Sequence, residues 1–467
     1  MLHSSLAPVS PELHLVNRLT WGARPADLAR MRELGPAGYV DWQLDHHAIP
    51  DPRIDAFLAE HPILQDDVPG IRRALDADYD SVYRQVMWGR ITRAVASERQ
   101  LFEKMVEFWT DHFNVPLPDL IPEKIVEDRE VIRKHALGNF RDLLLASARS
   151  PAMLVYLDNA FSHKDQPNQN YSREVMELHT LGVDGGYTEQ DVDEVARCFT
   201  GWTLQQEWRG EMVFDREIHD DGEKIVLGHR IAAGRGIEDG LQVLDILATH
   251  PSTARFISSK LCRRFVADRP PAELVDEVTA TFMATSGDIR AVLRTLFTSE
   301  QFMAARGAKF RRPFESLIAM LRALDPAVQV HDQWLLTNTL ERMGHLPFHW
   351  FPPNGYPDAS AAWLNVNGLL HRWNTAMVLA YSSQGWTDGA VTFDIDAVVP
   401  VSATVGTLVD STWQRLVGDP IDATTRRTLL ASLNDASPGE RVTDEFRSEY
   451  LPPLVGLILA SPAFQLT

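Results

Sequence analysis

Cysteine is nearly absent from this chain: Cys198 and Cys262 are the only two among 467 residues. With no CxxC pair, a structural zinc knuckle is excluded. Both cysteines fall inside apolar helical patterns, which predicts buried free thiols rather than a disulfide. Positive charge is in deficit as well. Sixty-four acidic residues against 45 basic ones give a formal net charge of −19. That field repels nucleic-acid phosphates and anionic lipid, and basic pairs such as Arg263-Arg264 and Arg311-Arg312 are too short to counter it. No nucleic-acid partner is expected. The sequence also lacks an uncharged apolar stretch of about 18 residues, which a membrane span would need. Residues 1–10 show no basic stretch followed by an apolar run, so no secretory signal is visible and a cytoplasmic location is expected. Several catalytic signatures are missing: HExxH, GxSxG, the P-loop, GxGxxG and a pair of ExxH motifs. Zinc proteases, α/β hydrolases, nucleotide-binding folds and ferritin-like di-iron bundles thereby lose support.

What remains is a globular composition, 45% hydrophobic and 23% charged, able to bury a large core. Helical periodicity dominates. Leu28, Met31 and Leu34 mark a short amphipathic helix. A long helical pattern covers 71–113, and its last part puts Leu101, Met105, Phe108, Trp109 and His112 on one face. His112 therefore points with the core-facing stripe. A second helical block spans 123–157, with a restart at Ser150-Pro151 where serine caps and proline takes the first helical position. A helix over 171–181 ends at Gly182, and the next opens on Thr188, whose side chain can cap the free amides. Between 204 and 231 the helical period is lost. Met212 and Phe214 lie between the polar Glu211 and Asp215, and 224–227 reads as a second short strand, so a small β-hairpin is predicted there. Helices resume over 238–248, 252–266, 272–284 and 289–298. The reading is a mainly α, large multi-helix globular fold with a β-hairpin insertion around 205–231. Residues 1–330 would form a helical core, with a C-terminal helical portion, 331–467, packed on it; the alternative is one single domain.

Three stretches hold more polar chemistry than folding requires. The richest runs from Asn168 to Gly182. Glu174 and Glu177 are three apart, so on a helix both carboxylates project from one side, which Leu178 and Leu181 share. Two carboxylates on a partly apolar face need a metal, an arginine or a shared proton to offset the cost. The plainer reading is an i,i+4 ion pair of Arg173 with Glu177 on a solvated face. The second stretch is His112 with Asp111 and Asn114, next to a proline-rich loop; a lone histidine on an apolar face is more often a satisfied core residue. The third runs from His219 to Lys224 in the expected hairpin. It could hold a general base and an anion-binding lysine, or be a polar turn around Gly222. The aromatic, proline-rich run from Phe348 to Tyr356 could wall a pocket.

These residues carry a resemblance. The run Asn168-x-Asn170-Tyr171-x-Arg173-Glu174-x-Met176-Glu177-Leu178-x-Thr180-Leu181-Gly182, continued by Val183 to Thr188, Val195-Ala196-Arg197 and Thr200-Gly201-Trp202, resembles the core of the bacterial family called domain of unknown function 1800. Asn17 to Gly22, Met105 to Phe113, His219-Asp220 with Lys224, and Pro352-Pro353-Asn354-Gly355 with Trp363-Leu364-Asn365 fit it too. The resemblance spans nearly the whole chain and implies almost nothing about chemistry. Two positions depart from it. The family pattern Trp-His-Asn-His-Phe is here Trp109-Thr110-Asp111-His112-Phe113, and His179 stands where an apolar or aromatic residue is expected.

The functional reading is a metal-dependent, hydrolase-type enzyme, with an oxidoreductase using the same ligands as the alternative chemistry. His112 and Glu174 would hold a divalent metal, and Glu177 or His219 would act as base toward a bound water. Arg173 or Lys224 would steady an anionic group. Asn114, Asn168, Asn170, Trp109 and Trp202 would contact a small-molecule or polymer substrate. The rival reading has no chemistry: Asn168, Asn170, Arg173, Glu174 and Glu177 would form a hydrogen-bond network fixing a loop against two helices. A third reading is a carbohydrate or peptide binder using Trp109, Trp202 and Trp350.

Overall fold

A computed structural model describes residues 9–205 and 210–467. Over these residues the chain forms 23 α-helices and three two-stranded antiparallel sheets, so the mainly α class expected from periodicity is what the chain adopts. Local capping chemistry breaks the long patterns into shorter pieces. The stretch 71–113 is the end of Val68–Ala77, then Tyr79–Ala96 and Gln100–His112. Asp78 leaves helical geometry and accepts from Ser81 N at 2.9 Å, starting a new helix where the apolar period alone would have continued one. The block 123–157 is likewise split into Ile121–Glu127, a π turn at Asp128–Arg133, Phe140–Ala148 and Pro151–Tyr156. Pro151 does occupy the first helical turn there. The helix predicted over 171–181 is Gln169–Glu177, capped by Asn168. Thr188 and Asp191 form a reciprocal capping box at the start of Glu189–Phe199.

The insertion differs from a single hairpin. Met212–Phe214 pairs with Trp202–Leu204, and Lys224–Val226 pairs with His229–Ile231. The reason is local. Leu227 and Gly228 both have positive φ, 50° and 78°, the two-residue turn whose twist suits a tight hairpin, so Lys224–Val226 closes on the strand just after it. A third pair, Val328–Val330 with Val391–Phe393, lies outside the expected insertion; each strand alternates apolar and polar residues, but over only three positions.

Two apolar clusters make the core. One gathers residues from Leu13 to Phe302; the other joins Trp21 and residues 57–125 to residues 314–464. Helix Pro313–Leu324 runs through the second, buried along its whole length. Cys198 and Cys262 are free and buried, as expected. Among the described residues no helix is long and apolar enough to cross a membrane.

Candidate functional site

Helix Gln100–His112 delivers His112 into the interior, where the residue is 1% exposed. Both ring nitrogens are engaged. Nε2 lies 3.0 Å from the His179 carbonyl, and Nδ1 lies 2.9 Å from Lys260 Nζ on helix Pro251–Phe265. One tautomer satisfies both: Nε2–H donates to the carbonyl and Nδ1 accepts from the ammonium. The His112 and His179 rings stand 6.0 Å apart. Burial, then the Lys260 charge, then His179, hold His112 well below the usual imidazole range. Burial and Lys260 push His179 down to about 3. Burial also lowers Lys260 to about 8, against the opposing pull of Asp358 and Asp111. Asp111 itself is raised to about 6 by burial, with Glu107 and Asp358 adding to the rise and Arg312, 2.8 Å away, opposing it.

Two glycines of the family-like motifs close this seam. Gly355 has φ +67°, and a Cβ there would lie 1.9 Å from the Asp111 carbonyl oxygen, so the loop backbone rests directly on the end of the His112 helix. Gly182, at φ +83°, leaves room for the Phe256 ring, which a Cβ would meet at 2.9 Å. Phe256 in turn lies under Lys260, with Nζ 5.5 Å from the ring centroid. Asn114 ties down the same loop by donating to the carbonyls of Trp350 and Pro352 at 2.7 and 2.8 Å. Tyr156 donates to the Phe351 carbonyl between them.

Glu174 borders this loop from the other side. Burial and then the Glu174 charge push the Tyr156 phenol up to about 12. Glu174 is half buried, and burial followed by the Glu177 charge raises its own carboxyl. Glu177 accepts from the Tyr187 hydroxyl at 3.3 Å. Arg173 does not pair with Glu177. It reaches Glu189 at 2.8 and 2.7 Å, because Glu189 opens the next helix and offers both oxygens to the guanidinium fork. Asn168 caps its helix through Asn170 N and donates to the Asp158 carbonyl, while Asn170 reaches the Asp158 carboxylate at 3.3 Å. These two asparagines hold a loop.

His219 and Lys224 belong to a separate, enclosed cluster. Lys224 Nζ lies 2.6 Å from Asp239 Oδ2, and His219 Nε2 lies 3.3 Å from the same oxygen. All three side chains have no exposed surface. The expected polar turn is therefore the lid of a buried network, and its acidic centre, Asp239, had no motif to announce it. Trp109 and Trp202 are fully enclosed, and the Trp109 Nε1 donates to the Ala136 carbonyl at 2.9 Å. Neither ring offers a face to a sugar or peptide; each fills the core.

The donor set does not fit the metal centre expected at His112 and Glu174. A ligating imidazole needs a free lone pair, and the Nδ1 of His112 faces Lys260. Among the described residues no three His, Cys, Asp or Glu side chains are grouped as metal ligands. Lys260 was missed by sequence reasoning: it is a lone lysine on an amphipathic helix, and its partner lies 148 positions away.

The buried imidazoles make a stability prediction. His112 and His179 bind protons more weakly when folded than when unfolded. Their contribution is therefore intact above pH 6.5 and is lost as pH falls below it toward the folded values. Going from about pH 7.5 to about 5.5 should cost on the order of 1 kcal/mol through His179, and His112 adds a loss in the same direction. Asp111 works in the opposite sense, regaining about 1 kcal/mol as pH falls through its raised value of about 6. Urea midpoints at the two pH values check this, and His179→Phe should flatten the slope. A stability independent of pH would mean that the imidazoles are solvated.

The fold and site define a large helical protein with a buried histidine–lysine contact under a proline-rich loop. The model of the family described as a protein of unknown function (DUF1800) matches residues 14–466, and the chain belongs to that family. No curated protein and no solved structure matches the chain.

Proposed function

We propose that this protein is a hydrolase-type enzyme whose acid–base chemistry is carried by Lys260 working against His112, beneath the loop 347–357. The supporting observation is the 2.9 Å contact between Lys260 Nζ and an imidazole nitrogen that stays unprotonated at neutral pH. An amine lowered to about 8 exchanges its proton near physiological pH and, once neutral, serves as base or nucleophile. His112 fixes its direction. Asp111, raised to about 6, supplies a second group that titrates close by, the pairing that acid–base sites use. Glu174 sits close to Tyr156, which donates to the loop at Phe351, and Asn114 keeps the loop in place.

Competitive acetylation tests this directly, since the chain has only seven lysines. Lys260 should label with a midpoint near pH 8. Lys260→Met should keep the fold but lose turnover on ester and amide test substrates, because an apolar side chain replaces a buried amine at little cost. Labelling in the ordinary lysine range near 10.4 would remove the basis of the proposal.

The scaffold reading keeps support in one place. The cluster of His219, Lys224 and Asp239 is fully enclosed, and His219 and Lys224 both meet Asp239 Oδ2, which suits a structural role.

A further inference from the structure

A cleft of about 270 Å³ opens between helix Pro11–Leu19, helix Val405–Val417 and the segment 463–466. Its walls are apolar, with Leu13, Leu416, Val417 and Phe464 prominent. Two buried donors also line it, and neither is satisfied. Arg311 is 4% exposed, and among the described residues its Nε and Nη1 have no hydrogen-bond partner. Trp413 is 3% exposed, and its Nε1 has none either. Buried donors are normally paired, so two orphans in one cleft call for an acceptor.

The charge balance points the same way. Arg311 spends Nη2 on the neutral Asn17 Oδ1 at 3.1 Å and stacks over the Phe464 ring, its carbon 5.0 Å from the centroid. The carboxylate that acts on it is Glu315, and that one is bonded to Lys104 at 2.8 Å. Arg18 adds a second positive charge nearby. Two acids also border the cleft, but both are engaged. Asp419 accepts from Ser10 N at 2.7 Å, and Asp422 caps a helix through Thr424 and Thr425.

We infer that this cleft binds a small apolar monocarboxylate, its carboxylate received by Arg311 and Trp413 and its body lying against Leu13, Leu416 and Val417. Asp419 and Asp422 repel a second anionic end, so a diacid of the same length is rejected. This site is independent of the Lys260 seam.

Calorimetry and thermal shift on the full chain test the assignment with octanoate, octanol and octanedioate as probes. Octanoate should bind and raise the melting temperature; octanol and octanedioate should bind at least about tenfold more weakly, the scale of one charge-assisted hydrogen bond. Arg311→Met should stay folded, since it removes two unpaired buried donor atoms and keeps an apolar stem, and should lose octanoate binding by a similar factor. Trp413→Phe keeps the ring and loses the donor, so it should weaken octanoate severalfold and serves if the first variant does not fold. No octanoate binding by the unmodified chain, equal binding of octanol, or undiminished binding by the variants would each overturn the assignment.

Discussion

Replacing Gly355 with alanine should destabilise the protein by about 3 kcal/mol or more. An L-residue in the left-handed region costs roughly 1–2 kcal/mol, and forcing extra volume into a packed interior costs about 1–3 more. Here both act at once, because φ is +67° and the added carbon would fall 1.9 Å from the Asp111 carbonyl. That oxygen belongs to a helix end and cannot rotate away as a flexible side chain would. Either the loop lifts or the helix end unwinds, and both disturb the seam. The urea midpoint reports the loss at unchanged m-value. Acetylation of Lys260 should then shift toward the ordinary lysine range as water enters. A midpoint within about 0.5 kcal/mol of the parent, the range of an ordinary surface change, would mean that the loop does not rest on the helix.

Asp239→Ala should cost about 3–5 kcal/mol, the loss found when one partner of a buried ion pair is removed. Lys224 and Asp239 have no exposed surface, and His219 leans on the same carboxylate. The truncation strands an ammonium in an enclosed site, where it keeps only the Asp220 backbone carbonyl and the weaker pull of the Asp220 carboxylate. The double variant Asp239→Leu with Lys224→Met should recover most of the loss, because an apolar pair of similar volume removes the stranded charge. A single-variant loss of under about 1 kcal/mol would place the pair in the range of solvated surface ion pairs. Neither result depends on the chemistry proposed for Lys260.

How far the sequence could be read follows from where each interaction lies along the chain. The 3.6-residue period assigned the helices and turned His112 inward, and the capping box at Thr188 could be read within four residues. The paired motif glycines were visible as letters, though not as contacts. Arg173 illustrates the limit. Its i,i+4 neighbour Glu177 was the natural partner on paper, yet the next helix presents Glu189 at 2.7 Å. Periodicity reports which face of a helix is buried. It carries no information about what lies opposite.

By itself the sequence determined the mainly α class, the inward aim of His112, the free thiols and the family. Each of these is set by composition or by residues within a turn or two of each other. Only tertiary structure decided that Lys260 meets His112, that Asp239 joins His219 and Lys224, that Trp109 and Trp202 are sealed in the core, and that Arg311 lines a cleft with two donor atoms unpaired. Those outcomes depend on which helices pack together across tens to hundreds of residues. Burial then fixes the protonation of every group enclosed, because a charge's cost is set by its surroundings in space and not by its neighbours in the chain.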